Sequence, residues 1–316
     1  MKLSFWISIL ILALPRLVLS TVDARGSVPH ETQSRVVGID PTFGNLYHET
    51  FEAMRHDRHT ETIAKATAAL AMKPDPKRGA LLFACRGLAY SGLKNYARAV
   101  ADFGEAIRLD PAVDTARANR GLILAYLGED ERAIADLTHA GRVGSLGLTL
   151  HATLGNAYLK TGRKNLARGE YVRVAQLPVQ ADAEYALRAY AEFAIGQYKA
   201  AASDWRAAGQ RLSNDWGTLN EAAWFEATCP DAAVRDGQAA VRDASRACEG
   251  THWKDGGFID TLAAAYAETG DFAHAVQYGK RAVSLGGKHS GERREVEQHL
   301  RLFEKGKPVR EGGKLL

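Results

Sequence analysis

The feature that most constrains the fold is a repeat. The stretch RGLAYSGLKNYARAVADF begins at Arg86, and RGLILAYLGEDERAIADL begins at Arg120, 34 residues later. Between the two copies Arg, Gly and Leu coincide, then Arg98-Ala99 with Arg132-Ala133, then Ala101-Asp102 with Ala135-Asp136. The same step carries Gly121 to Gly155 in LGNAYLKTGRKNLARGEY, and Gly162 to Gly196 in IGQYKAAASDW. A period held over successive units implies a stack in which each unit covers its neighbour, not one closed core.

The spacing within a unit has a physical reading. Gly87, Gly121, Gly155 and Ala189 are small, so the first helix of a unit can approach its second closely. Ala99, Ala133, Ala167 and Ala201 do the same from the second helix. Phe103, Leu137, Tyr171 and Trp205 follow those alanines by four positions, on the same helical face, and fill the space between units. Asp110-Pro111 closes one unit and opens the next, because proline suits a helix start and breaks an interior. Each helix is short enough to be marginal alone, so stacking must stabilise it.

The bulk composition agrees. The 316 residues are 46% hydrophobic and 25% charged, as in globular proteins, and alanine recurs throughout, which favours an all-α chain. A net charge of +4 spread over this length gives no concentrated basic patch, so no nucleic-acid partner is expected. At the N-terminus Lys2 precedes an apolar run from Phe5 to Leu14, shorter than the roughly 20 residues of a membrane-spanning helix. Residues 1–24 read as a secretory leader, with cuts after Ser20 or Ala24, or as an uncleaved membrane anchor. Export to the periplasm or medium is expected, and membrane contact only if the segment is retained. Residues 25–43 carry two prolines and two glycines without helical period and read as a flexible lead-in.

Phe83, Gly87, Tyr90, Ala99, Phe103, Ala106 and Pro111 stand where the tetratricopeptide repeat family has its signature residues, and the chain resembles that family. Leu154, Gly155, Tyr158, Ala167 and Tyr171 repeat the match, as do Leu262, Ala263, Tyr266, Gly270, Phe272, Ala275 and Ala282. The resemblance implies a right-handed α-solenoid of about seven helix pairs over residues 44–290, with a capping helix and basic tail at 291–316. The first unit, ending at Pro74, has a poor signature and reads as an end cap. Between residues 221 and 248 the insert CPDAAVRDG separates two helices. That wording, followed by TLAAAYAETGDF, is similar to the C-terminal repeat pair of many bacterial members.

The family usually binds ligands along the first helices of successive units. By register the resemblance places Leu81, Ala84, Leu88, Thr115, Ala118, Leu122, Thr149, Ala152, Asn156, Tyr190 and Phe193 on that concave groove. The family's clamp for a C-terminal carboxylate uses lysine and asparagine where this chain has Ala84 and Leu88, so that mode is disfavoured. An apolar groove suits an extended or helical peptide, or the chain's own C-terminal helix.

The candidates for chemistry are few. Cys229, followed by Pro230 and Asp231, invites a nucleophile reading, but a reactive thiol needs a base and a depressed pKa. His252 lies beyond the next helix, so the segment reads instead as a helix end and a new start. Cys229 and Cys248 fall at opposite ends of a helix spanning roughly 20 Å, beyond the roughly 7 Å limit for a disulfide. Cys85 reads as a packing residue inside a helix. His48, Glu52 and His56 share one helix face with His59 nearby, a plausible metal set, although an end-cap helix also needs a polar outer face. No phosphate-binding glycine loop or nucleophile elbow occurs. The expectation is a non-catalytic scaffold, without cofactor, that binds a protein or peptide in the groove. The alternative is a metal-binding or enzyme-accessory module on the His48/Glu52/His56 face.

Overall fold

The computed structural model describes residues 40–143, 147–286 and 290–311. The expected leader and nearly all of the lead-in lie outside the described residues. Among the described residues every regular element is helical. The helices are α1 (Pro41–Arg55), α2 (His59–Ala71), α3 (Pro76–Gly92), α4 (Tyr96–Leu109), α5 (Asp114–Tyr126), α6 (Asp130–Val143), α7 (Leu148–Lys160) and α8 (Lys164–Gln176). They continue as α9 (Asp182–Ile195), α10 (Tyr198–Arg211), α11 (Trp216–Thr228), α12 (Gly237–Gly250), α13 (Gly256–Glu268), α14 (Phe272–Leu285) and α15 (Ser290–Phe303). A short 3₁₀ turn, Ala232–Val234, sits between α11 and α12. Among the described residues the fifteen helices are as many as seven pairs and a last single helix require.

The chain divides into two compact units, one ending at Ala167 and one beginning at Arg168. In the N-terminal unit α1 packs on α2, α3 on α4 and α5 on α6, and each pair also packs on the helix that follows it. The C-terminal unit repeats this with α9 and α10, α11 and α12, α13 and α14, and α15 closes against α14 and α13.

Local chemistry sets the helix starts. Asp40, Asp75, Asn95, Asp236, Asp255 and Asp271 each accept a backbone N–H from the first turn of the helix they precede. Those N–H groups have no partner within the helix, so each cap stabilises its helix by about 1 kcal/mol. At the end of α9, Gly196 takes φ 85°, a conformation glycine adopts without steric cost.

At Gly87 and Gly121 the small residues do what the spacing predicts. A methyl group on Gly87 would fall 3.0 Å from the Phe103 ring, and one on Gly121 would fall 2.8 Å from Leu137. Both helix pairs are therefore in contact through backbone on one side and a bulky side chain on the other. Ala99, Ala133 and Ala201 are fully buried, as are Leu137 and Trp205.

A second periodic device joins the helices of a pair. Arg86 donates to both carboxylate oxygens of Asp102 at 2.8 Å, and Arg120 to those of Asp136 at 2.7 and 2.8 Å. Arg188 does the same to Asp204 at 2.5 and 2.9 Å. Each bridge spans 16 residues, and the aspartates are buried. Bidentate Arg–carboxylate geometry fixes orientation as well as distance. At the intervening register Leu154 replaces the arginine, and the buried Glu170 pairs with Arg173 on its own helix.

Candidate functional site

The expected groove begins on α3 and α5 of the N-terminal unit. Leu81, Ala84, Leu88 and Thr115 line one narrow recess of about 20 Å³, together with Phe51 from α1. That volume holds roughly one water, but its wall is almost wholly apolar. Leu81 is 37% exposed, while Ala84, Leu88, Thr115 and Ala118 are half-buried. Asn119, also on the wall, donates its amide to the Thr115 carbonyl at 2.7 Å and is committed to its own helix.

The other residues of the expected groove are placed differently. Leu122, Thr149, Ala152 and Asn156 are buried. In the C-terminal unit Tyr190 and Phe193 are buried too, with Tyr190 edge-on to Tyr171 at 5.9 Å and Phe193 edge-on to Phe225 at 5.9 Å. The accessible part of the groove in the N-terminal unit is thus the α3 face with the first turns of α5. A broader depression of about 430 Å³ lies elsewhere on this unit, lined by α6, the end of α7 and Leu166. Its Arg163 is held by Glu131 and its Tyr158 hydroxyl lies 3.3 Å from Thr138.

In the C-terminal unit the first-helix face of α11 and α13 is covered by the chain's own end. The His299 Nδ1 of α15 lies 2.9 Å from the buried Asp260 carboxylate of α13, and its ring faces Trp224 with centroids 5.4 Å apart. Val296 and Phe303 of α15 are buried. Past the helix, Arg310 reaches Glu268 at 2.6 Å, and Glu311 accepts the Trp224 indole N–H at 2.8 Å. Trp224 stands four periods after Leu88, so register alone would have extended the groove to it. The pairing with Glu311, 87 residues away, leaves no periodic trace.

The thiols are packing residues. Cys85, Cys229 and Cys248 are free and buried. Burial pushes the Cys85 and Cys248 thiols up to about 12 and raises that of Cys229. A nucleophile needs the opposite shift. Cys229 caps α11, and the insert is a hinge: Asp231 caps the 3₁₀ turn, Asp236 caps α12, and Arg235 ties the Cys229 carbonyl at 2.8 Å to Glu268 at 2.8 Å.

On α1, Glu52 pairs with Arg55 at 2.9 Å and lies 3.9 Å from His56. His59 opens α2 and packs against Gly92 of α3, where no side chain would fit. Among the described residues no three His, Cys, Asp or Glu side chains converge as a metal-binding group.

Comparison with known proteins places these features. Residues 86–113 match the tetratricopeptide repeat family model. A search of curated proteins finds none that matches. Among solved structures, a tetratricopeptide repeat protein from Parabacteroides merdae superposes with a TM-score of 0.51 at 14% identity, over 84% of this chain and all of that one. A chain of the APC/C hetero-tetramer Cut9-Hcn1 gives a TM-score of 0.59 at 14% identity, over 83% of this chain. This chain spans about half of that one (52%). At these identities the likeness is one of fold.

Proposed function

We propose that this tetratricopeptide repeat protein is a non-catalytic scaffold that binds an apolar peptide segment of a partner protein on the α3/α5 face of its N-terminal unit. The observation that carries this reading is the recess itself, which gathers Leu81, Ala84, Leu88 and Thr115 from two successive first helices with Leu81 open to solvent. The notch admits about a methyl-sized group, so the half-open α3 face around Leu81 supplies the rest of the apolar contact at little ordering cost. The apolar run from Phe5 to Leu14 after Lys2 supports export of the scaffold, checked by N-terminal sequencing of the mature protein. Among the described residues no helix is long and apolar enough to cross a membrane.

The test is a random-peptide selection on the full chain, counter-screened on Leu81→Glu with Leu88→Glu. Both positions retain solvent contact, so the carboxylates can hydrate and the fold survives. Selected peptides should carry an apolar anchor and lose at least about tenfold affinity, or 1.4 kcal/mol, on the variant. Peptides that bind both forms equally would refute the site.

A further inference from the structure

The end of the chain supplies what the end of α11 lacks. A helix leaves its last four carbonyls without intrahelical partners, and here Pro230, which has no N–H, follows the capping Cys229. The carbonyl of Phe225 accepts from Cys229 N–H at 3.0 Å and that of Glu226 from Asp236 N–H at 3.1 Å, both within the hinge. The other two are taken by the tail. Ala227 accepts from the Arg310 guanidinium at 3.3 Å, and Thr228 from the Glu311 N–H at 2.9 Å.

The side chains of the tail are read as well. Arg310 forms an ion pair with Glu268 at the end of α13, Glu311 receives the Trp224 indole N–H, and Val309 is buried. Cationic and N–H groups are favoured at a helix C-terminus, so α11 presents a polarised acceptor pair to which an Arg-Glu sequence is matched. This is recognition of a sequence, not coverage by an apolar lid. Gly306, at φ 65°, breaks the chain direction after α15, and residues 307–311 run on without helix. Lys305, Gly306, Lys307 and Arg310 are exposed, so Val309 alone is buried deeply among them.

We propose that the face formed by the C-terminal ends of α11 and α13 is a second peptide site. Its ligand is a non-helical segment of a partner with an apolar–Arg–acidic triplet, and residues 309–311 occupy it in cis. Tethering gives the tail a millimolar-scale effective concentration, so a partner binds only by displacing it. The site lies in the C-terminal unit, and its test leaves Leu81 and Leu88 untouched.

The probe is a fluorescein-labelled peptide, KGKPVREGGKLL, the sequence of residues 305–316. The receptors are the full chain and its Arg310→Ala with Glu311→Ala variant, read by anisotropy. The variant should bind the peptide at least about tenfold more tightly than the parent chain, and a peptide with the same two substitutions should bind neither. Equal binding to both receptors, or none to either while the variant keeps its helical circular dichroism, overturns the proposal. Hydrogen exchange on the parent chain decides independently of how the variant folds. The Glu311 amide should exchange far faster than the core of α13, and exchange only through global unfolding would show a permanent cap.

Discussion

Replacing Asp102 with alanine tests whether the repeated bridge locks the two helices of a pair. Asp102 accepts two hydrogen bonds from Arg86 at 2.8 Å, with the aspartate side chain 8% and the arginine 18% exposed. Removing one partner of a fully buried pair costs about 3–5 kcal/mol, because the remaining charge is stranded. Here Arg86 keeps a hydrogen bond to Thr67 at 3.0 Å, the Phe83 face 5.2 Å from its guanidinium, and some solvent. The expected cost is therefore smaller, about 2–3 kcal/mol. Arg86→Leu should cost about 3 kcal/mol, since Asp102 is then left buried without its cation. The double change Arg86→Leu with Asp102→Leu should cost less than either single one, as apolar pairs of similar size replace buried ion pairs at little loss. Register already holds a leucine at Leu154, in a unit whose buried acid pairs elsewhere. Urea unfolding followed by far-ultraviolet circular dichroism measures all three, compared at constant slope. The reasoning fails if Asp102→Ala costs less than about 1 kcal/mol, or if the double change costs as much as Arg86→Leu alone.

Other consequences follow from the same geometry. Gly121→Val should destabilise by about 1–3 kcal/mol, since its Cβ would stand 2.8 Å from Leu137. Gly169→Ala, with open space around the new methyl on helix α8, should instead stabilise by about 0.5–1 kcal/mol in the same urea assay. Glu192 and Glu226 are raised by burial from 4.5 to about 7, with Asp204 beside the first and Asp243 and Asp236 beside the second adding to the shift. The folded state holds these protons after the unfolded chain has released them, so stability should fall as pH rises from 4.5 to about 7 and then level off. Thermal midpoints of Glu192→Gln and Glu226→Gln should lose part of that slope; an unchanged slope refutes the assignment. Ellman's reagent should label none of the three thiols rapidly in the native protein and all three in urea, because each is buried with its pKa raised.

How much could be read in advance depended on whether a contact repeats. The close approach at Gly87 and Gly121 was legible because the glycine and its bulky partner each recur every 34 residues. The Arg–Asp bridges were written in the same rhythm, at Arg86 with Asp102 and Arg120 with Asp136, but coincidence of residues does not reveal which of them touch. The groove was legible only as a register. Leu81 and Leu122 both lie on the first-helix stripe, yet one is 37% exposed and the other 1%, because exposure depends on what packs over each position.

The sequence by itself determined the all-α character and the hinge after Cys229, since helix periodicity, caps and proline are local or periodic, and the family resemblance supplied the number of pairs. Only the tertiary structure decided which stretch of the first-helix face stays open. The tail lies on Trp224, Thr228 and Glu268 through contacts that occur once and span tens of residues. Such contacts have no period to betray them. They arise because the carbonyls ending α11 and the carboxylate ending α13 need donors, and the folded chain brings Arg310 and Glu311 within reach.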